Sequence, residues 1–256
     1  MKIIVSVKQV PARDSSLRLN AGGTWLDESD LSFEMNEPDA YALEEALQLK
    51  EKLGGEAVVL SAGPERVTQT IREALAKGAD RAIHVKVDDE GTLDALATAR
   101  ILAKALEGES PDLILTGLQS DDLGYGQTGV VLAELLGFAH ATIVMEVEPL
   151  GATVRVKREL EDGWFQNVVL PLPAVLTVQS GIKKLRYATL MGIKKAKTKE
   201  VKTLSAAQLG ADTTAASQIE KVYLPQRVKQ SQMLTGDPRE VAKQLVEKLK
   251  FEARVL

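Results

Sequence analysis

Four short apolar runs alternate with three helical ones through the first half of the chain, and that order restricts the fold more than any other feature. Lys2–Val7, Ala57–Ser61, Ala82–Val87 and Leu113–Thr116 read as buried strands. Glu37–Leu53, a run from Pro64 to about Gly78, and Leu93–Leu106 read as the helices between them. Asn36 stands where an N-cap belongs, Pro38 falls in the first turn, Gly54 ends the helix, and Leu43, Ala46, Leu47 and Leu53 share one stripe. Strands joined by helices need right-handed crossovers, so the expected architecture is α/β: an open parallel sheet with helices on both faces. Ser16–Asp27 reads as a short hairpin turned by Gly22 and Gly23.

The pattern changes after Gly137. Ala141–Val147, Thr153–Arg158 and Phe165–Leu170 alternate apolar with polar residues, which predicts antiparallel strands added at an edge, turned at Glu161-Asp162-Gly163. Pro173–Gln179 reads as a further apolar strand. From Gly181 onward the chain is basic and irregular until a last helix, Asp237 to about Phe251, with Asp237 as N-cap, Pro238 at N1 and Glu240 at N3. Val241, Leu245 and Leu249 form a one-sided stripe there. The expected division is therefore a nucleotide-binding α/β domain, 1–182, and an extended C-terminal arm, 183–256, that wraps around a partner.

The richest stretch for function is Asp112–Gly137, where a strand, a glycine-rich loop and an amphipathic helix follow one another. Gly124, Gly126 and Gly129 spell GxGxxG as the helix opens, and amides near Gly126, Gln127 and Thr128 can hold a phosphate, with the Thr128 hydroxyl assisting. Gly129 would keep the helix start close to the sheet. A dinucleotide reading, with Glu146 about 20 residues further on, fits less well. The motif follows the fourth strand rather than the first, Gly124 lies seven positions beyond Gly117, and Asp121 and Asp122 would repel a pyrophosphate. A loop merely shaped by glycines is the plainer alternative.

Ser61-Ala62-Gly63 sits at a strand's carboxyl end, where small residues leave room for an adenine ring, although an ordinary strand-to-helix turn looks the same. Asn36 to Asp39 is open between cap and ligand contact, and Ser6 is a weaker candidate at the end of the first strand. Neither GxxxxGK[ST] nor an SGGxDS loop is present, so the nucleotide has no apparatus for its cleavage. With no cysteine and two histidines, His84 and His140, thiolate catalysis, disulfides and metal ligation have little to work with. Both histidines read as structural, and Trp25, Trp164, Tyr41, Tyr125 and Tyr187 are scattered. A net charge of −4 gives no support for nucleic-acid binding. No 18-residue apolar run occurs and the opening MKIIVSV is too short for a signal peptide, so a cytoplasmic protein without direct membrane insertion is expected.

The basic run from Lys183 to Lys202 is either a solvated face or a surface for an acidic partner, and Leu190 and Met191 inside it favour docking, with charge steering and leucine anchoring.

Taken together, three segments resemble the β subunit of electron transfer flavoproteins, over nearly the whole chain. Val156-Lys-Arg-Glu-Leu-Glu-Asp-Gly-Trp-Phe-Gln166 followed by Pro173-Ala-Val-Leu-Thr177 looks like that subunit's signature. Arg186-Tyr-Ala-Thr-Leu190 with the lysines through Lys197 looks like its partner-recognition loop, and Ser120–Gly129 like its nucleotide loop. The resemblance implies an adenine-nucleotide α-hydrolase-like fold and a heterodimer with a larger α subunit that holds most of an FAD. It implies a structural AMP in β, touched by Ser6, by Asn36, Glu37, Pro38 and Asp39, and by Ala62. The rest of that site would be the loop Gly117, Leu118, Gln119, Ser120, Asp121, Asp122, Leu123, Gly124, Tyr125, Gly126, Gln127 and Thr128. It implies docking to flavoprotein dehydrogenases, such as acyl-CoA dehydrogenases, through Arg186, Tyr187, Ala188, Thr189, Leu190 and Met191, with Leu190 as anchor. Glu159 matches a carboxylate that positions the mobile flavin domain, and electrons would pass on to a membrane quinone oxidoreductase. Two alternatives stand beside this: an electron-bifurcating type with a second FAD in β that oxidises NADH, against which Gln127-Thr128-Gly129 speaks, and a free-standing nucleotide-sensing module.

Overall fold

The computed structural model describes residues 1–87, 93–225 and 231–256. Its main body is a nine-stranded sheet in which β1 (Lys2–Ser6) is flanked by β4 (Glu56–Gly63) and β6 (Leu113–Gly117), all parallel. β5 (Arg81–Lys86) extends the β4 side and β10 (Ala174–Val178) the β6 side. The chain thus runs outward from β1 to β5, then returns to the other side of β1, making a switch point between β1 and β6.

Strand alternation divides the core. Ile3, Val5, Val59 and Leu115 face α1 (Glu37–Leu53) and α2 (Thr68–Lys77), while Ile4, Val58, Leu60 and Ile114 face α3 (Ala95–Ala105) and α4 (Thr128–Leu136). Helices on both faces, with every central strand buried, are what a parallel sheet requires. Asp94 caps α3, its side chain accepting the Ala97 amide at 2.8 Å.

Three expectations need correction. Ala141–Val147 belongs to a longer strand, β7 (Ala139–Pro149), that is parallel to β10 and only its outer side pairs antiparallel, with β8 (Thr153–Glu159). Ile143 takes a φ of 56° there, and pairing with β10 and β8 slips around it. β9 (Phe165–Pro171) completes the antiparallel edge, turned at Glu161–Gly163 with Asp162 at a φ of 55°. Second, a two-stranded ribbon, β2 (Gln9–Pro11) with β3 (Phe33–Met35), brackets the expected hairpin, whose own pairing reduces to one bridge, Leu19 to Leu26.

Third, the chain after residue 182 is not irregular throughout. α5 (Leu190–Ala196) packs on α2, and β11 (Val201–Ser205) adds a parallel strand to β5. Ala196 is buried in one core, and Leu204, Ala206 and Leu209 pack on the other. Their apolar residues are few and spaced by lysines, so periodicity did not expose them. Met1–Val222 accordingly forms one compact unit. The second unit, Tyr223–Leu256, contains α6 (Pro238–Glu247), begun by Asp237, whose carboxylate accepts the Arg239 amide at 2.9 Å. Among the described residues no helix is long and apolar enough to cross a membrane.

Candidate functional site

At the switch point, strand ends converge on one cleft. Ser6 from β1, Ala62 from β4 and Thr116 with Gly117 from β6 line its floor. Asn36 and Asp39 enter from the head of α1, and Leu118, Gln119, Ser120, Asp122, Leu123, Tyr125, Gly126, Gln127 and Thr128 form the loop wall. Glu37, Pro38, Asp121 and Gly124, also expected at the site, lie outside this lining.

The loop owes its path to particular residues. Gly124 and Gly126 hold φ values of 64° and 62°, which turn the chain back toward α4. A Cβ at Gly129 would sit 2.6 Å from Thr177 and 2.8 Å from Thr116, so only glycine lets the helix start lie this close to the sheet. Among the described residues the amides of Tyr125, Gly126, Gln127, Thr128 and Gly129 find no acceptor in the chain. Successive free amides at a helix N-terminus form a cradle for an oxyanion.

Asn36 occupies the N-cap position of α1, but its side chain does not cap the helix. Its Nδ2 donates to the Gln119 carbonyl and its Oδ1 accepts the Asp121 amide, each at 2.9 Å, so it braces the loop. Asp39 is a clamp rather than a free carboxylate. Its two oxygens accept the Lys8 amide at 2.7 Å and the Gly117 amide at 2.8 Å, tying α1 to the ends of β1 and β6. Burial pushes the Asp39 carboxyl up to about 7, while the two amides pull the other way. Pro38 is buried beside it, and a Cβ at Gly117 would lie 2.7 Å from the Pro38 Cβ.

The acidic residues of the loop are neutralised inside the chain. Lys8 Nζ lies 2.7 Å from the Asp122 carboxylate and 3.4 Å from the Ser120 hydroxyl. Burial alone would raise the Asp122 carboxyl, but Lys8, the Ser120 hydroxyl and the Leu123 amide together hold it below the ordinary value. Arg13 reaches Asp121 at 3.2 Å and also bonds Glu37. The electrostatic objection to an anionic ligand beside Asp121 and Asp122 therefore falls away, whereas the placement of the glycines after β6 still separates this loop from the dinucleotide fingerprint.

A second region carries the other expected residues. Arg186 is not a free docking cation: its guanidinium contacts Glu44 at 2.8 Å and Glu51 at 2.5 Å on α1, and Lys183 lies 3.5 Å from Glu45. That bond holds the Glu51 carboxyl below its usual range. Thr189 caps α5, accepting the Gly192 amide at 3.0 Å, and a Cβ at Gly192 would collide with the Ala76 carbonyl of α2. What remains outward is apolar: Tyr187 is 93% exposed, Leu190 83% and Met191 61%, while Ala188 is half-buried. Glu159 ends β8 near the opposite edge of the sheet, so the structure does not bring it to Leu190.

The electron transfer flavoprotein domain model matches residues 23–209, a span that holds both the amide loop and α5. The electron transfer flavoprotein subunit beta of Bradyrhizobium diazoefficiens is 41% identical over 259 residues, covering 100% of each chain. That of Methylophilus methylotrophus is 38% identical over 257 residues, covering 96% of this chain and 97% of its own, and that of Bos taurus is 37% identical over 258 residues, covering 100% and 99%. The chain belongs to the electron transfer flavoprotein β-subunit family.

Within this family member, sequence reasoning passed over several residues at the cleft. Lys8 and Arg13 give no local signal of a role beside the loop, because the loop carboxylates they pair with, Asp122 and Asp121, lie more than 100 positions away. Trp25 stood among scattered aromatics, yet it and Tyr125 line the same cleft; the β2–β3 ribbon that carries the hairpin there had no clear periodic signal. His84 is buried with Nε2 3.0 Å from the Gly63 carbonyl, and His140 is exposed on β7.

Proposed function

We propose that this chain is the β subunit of a heterodimeric electron transfer flavoprotein and that its cleft holds an AMP which is never turned over. The observation that carries this reading is the row of unpaired amides from Tyr125 to Gly129 facing a cleft at the sheet's switch point. Five successive donors suit a phosphate monoester, and Ala62 leaves space for a base on the β4 side. Asp39 and Asn36 act as positioning residues: they fix the loop and have no oxygen left over to activate water. Bound AMP would bridge β4, β6 and α4, so its role is to stabilise the fold.

The redox chemistry would be supplied by an FAD held mainly on the α subunit, with this chain contributing geometry and a docking surface and no catalytic residue of its own. The Arg186 clamp and the Thr189 cap hold α5 so that Tyr187, Leu190 and Met191 stay exposed. A small apolar anchor flanked by the exposed lysines Lys184, Lys194, Lys195 and Lys197 suits brief encounters with several acidic dehydrogenases. Such dehydrogenases include those of fatty acid β-oxidation, and a membrane quinone oxidoreductase would take the electrons onward from a cytoplasmic carrier. Glu159 would meet the flavin domain of α from the β8–β9 hairpin, apart from α5.

Mass identification of nucleotides released from the denatured, co-expressed heterodimer tests the reading. One AMP and one FAD per heterodimer is the expected result. Two FAD molecules would replace it with the bifurcating type, and a chain that purifies alone without any adenine compound would overturn it.

A further inference from the structure

We propose that Trp25 walls the base end of the cleft and gives the ligand its aromatic stacking partner, making it the residue that selects a purine nucleoside monophosphate over a pyrimidine one. The inference rests on the nucleotide reading of the cleft and adds the determinant of base selectivity.

The argument begins with position. Ala62 ends β4, on the far side of β1 from β6 and its amide loop, so the cleft has an oxyanion end and a β4 end. Trp25 belongs to the β4 end, because its indole Nε1 donates to Glu28 at 3.1 Å and Glu28 pairs with Arg66, at 3.3 Å, in the turn that follows β4. Leu93 and Leu102 line the same cleft from the α3 side and add apolar surface to it.

Orientation comes next. Arg66 is itself fixed, with Nη1 3.2 Å from the Gln9 Oε1 and its guanidinium carbon 4.0 Å from the Phe33 ring centre. Gln9 is buried and bonds the Thr70 hydroxyl at 3.1 Å. The chain Trp25–Glu28–Arg66–Gln9 therefore anchors the polar edge of the indole to the core while Trp25 lines the cleft. The hairpin is held at both ends of the turn as well: Asn20 donates its amide to the Trp25 carbonyl at 2.8 Å, and Gly23 accepts the Val222 amide at 2.9 Å. An aromatic ring fixed in this way loses little freedom on stacking. Because stacking grows with the overlapped ring area, a purine gains more from it than a pyrimidine.

The test is exchange of the resident nucleotide of the purified heterodimer for labelled AMP, with unlabelled AMP or UMP as competitor, in wild type, Trp25→Ala and Trp25→Phe. Loss of one base–aromatic stack should speed exchange in Trp25→Ala by about tenfold and shrink the AMP-over-UMP preference by a similar factor. Trp25→Phe should stay within about threefold of wild type, since a ring remains. Gel filtration of each variant as an intact heterodimer controls for folding. Wild-type exchange and wild-type preference in Trp25→Ala would overturn the inference while leaving the AMP reading in place. A wild-type heterodimer that releases no adenine nucleotide would overturn both.

Discussion

The cleft and the α5 segment are built on the same plan and finish with opposite surfaces. In the cleft Lys8, Arg13 and Asp39 satisfy one another's neighbours, and what is left over is a row of backbone amides. In the α5 segment Arg186 and Lys199 are bound to α1 and α2, and what is left over is Tyr187, Leu190 and Met191. Charged side chains form the framework in both places, and only at α5 do further lysines, Lys184, Lys194, Lys195 and Lys197, stay exposed beside the apolar patch. A charge in a functional segment is thus poor evidence of ligand contact until its intramolecular partner is known.

The largest expected effect separates the two regions by pH. Asp39 is pushed up by burial whereas Glu51, beside Arg186, is pulled down. With a folded value of about 7 against an unfolded 3.8, the folded chain binds a proton that the unfolded chain has released between those pH values. Stability from Asp39 therefore falls as pH rises from about 4 to 7, by a total on the order of 4 kcal/mol, and is flat above. Asp39→Asn should remove that slope, read as the pH dependence of the difference in chemical-denaturation free energy from wild type. A difference that does not change across this window would mean that the clamp is ionised throughout.

Next in size is a pair of glycine substitutions that should dissociate the regions from each other. Gly117→Ala drives a Cβ into the Asp39 carboxylate and Pro38, and Gly192→Ala drives one into the Ala76 carbonyl. Each should cost about 2–3 kcal/mol by overpacking. Gly117→Ala should lose nucleotide and keep dehydrogenase-driven flavin reduction, and Gly192→Ala should do the reverse. Both variants losing both properties would show that the regions are one cooperative structure.

The fold was legible wherever burial is continuous. Ile3–Val5, Val58–Leu60 and Leu113–Leu115 are fully buried apolar runs, Ala82, Ile83 and Val85 surround the one buried histidine of their strand, and the order of these runs alone dictates a parallel sheet. β11 was not legible, because Lys202 and Thr203 interrupt it and its burial depends on β5 being in place already. The sequence of β7 reads as antiparallel because its alternating residues reflect the β8 side; no local signal tells that its other edge meets β10. At the site, local backbone devices were readable: Gly124, Gly126 and Gly129 act through their own φ angles or their missing Cβ. Long-range pairings were not. Asn36 showed the residue type of a cap and was used as a brace, since its partners, Gln119 and Asp121, come from a distant loop.

A smaller effect is expected from Lys8→Met, which leaves Asp122 without its cation while nearly preserving side-chain length. An uncompensated, partly buried carboxylate beside a bound phosphate should weaken AMP by about tenfold at low salt, and less at high salt. Lys8→Met combined with Asp122→Asn should recover most of that loss, because the double variant removes the repulsion. Nucleotide exchange rates of the single and double variants supply the cycle; a double variant as weak as Lys8→Met would assign Lys8 to direct ligand contact instead of neutralisation.

The most selective and smallest change concerns the other surface. Leu190 is 83% exposed and begins a helix whose position depends on Thr189, Gly192 and α2, none of which needs the leucine side chain. Truncation to alanine should therefore leave the melting temperature and the AMP and FAD contents of the heterodimer unchanged. Removal of an apolar anchor from a small docking patch should lower the second-order rate of flavin reduction by an acyl-CoA dehydrogenase by about tenfold, roughly 1.4 kcal/mol. Salt should act on only one of the two contributions: it should slow the wild type by screening Lys184, Lys194, Lys195 and Lys197, yet leave the ratio between Leu190→Ala and wild type nearly constant, because an apolar contact is not screened. A ratio that collapses at high salt would make Leu190 a bystander to the lysines, and a loss of AMP in this variant would join the two surfaces that their separate frameworks keep apart.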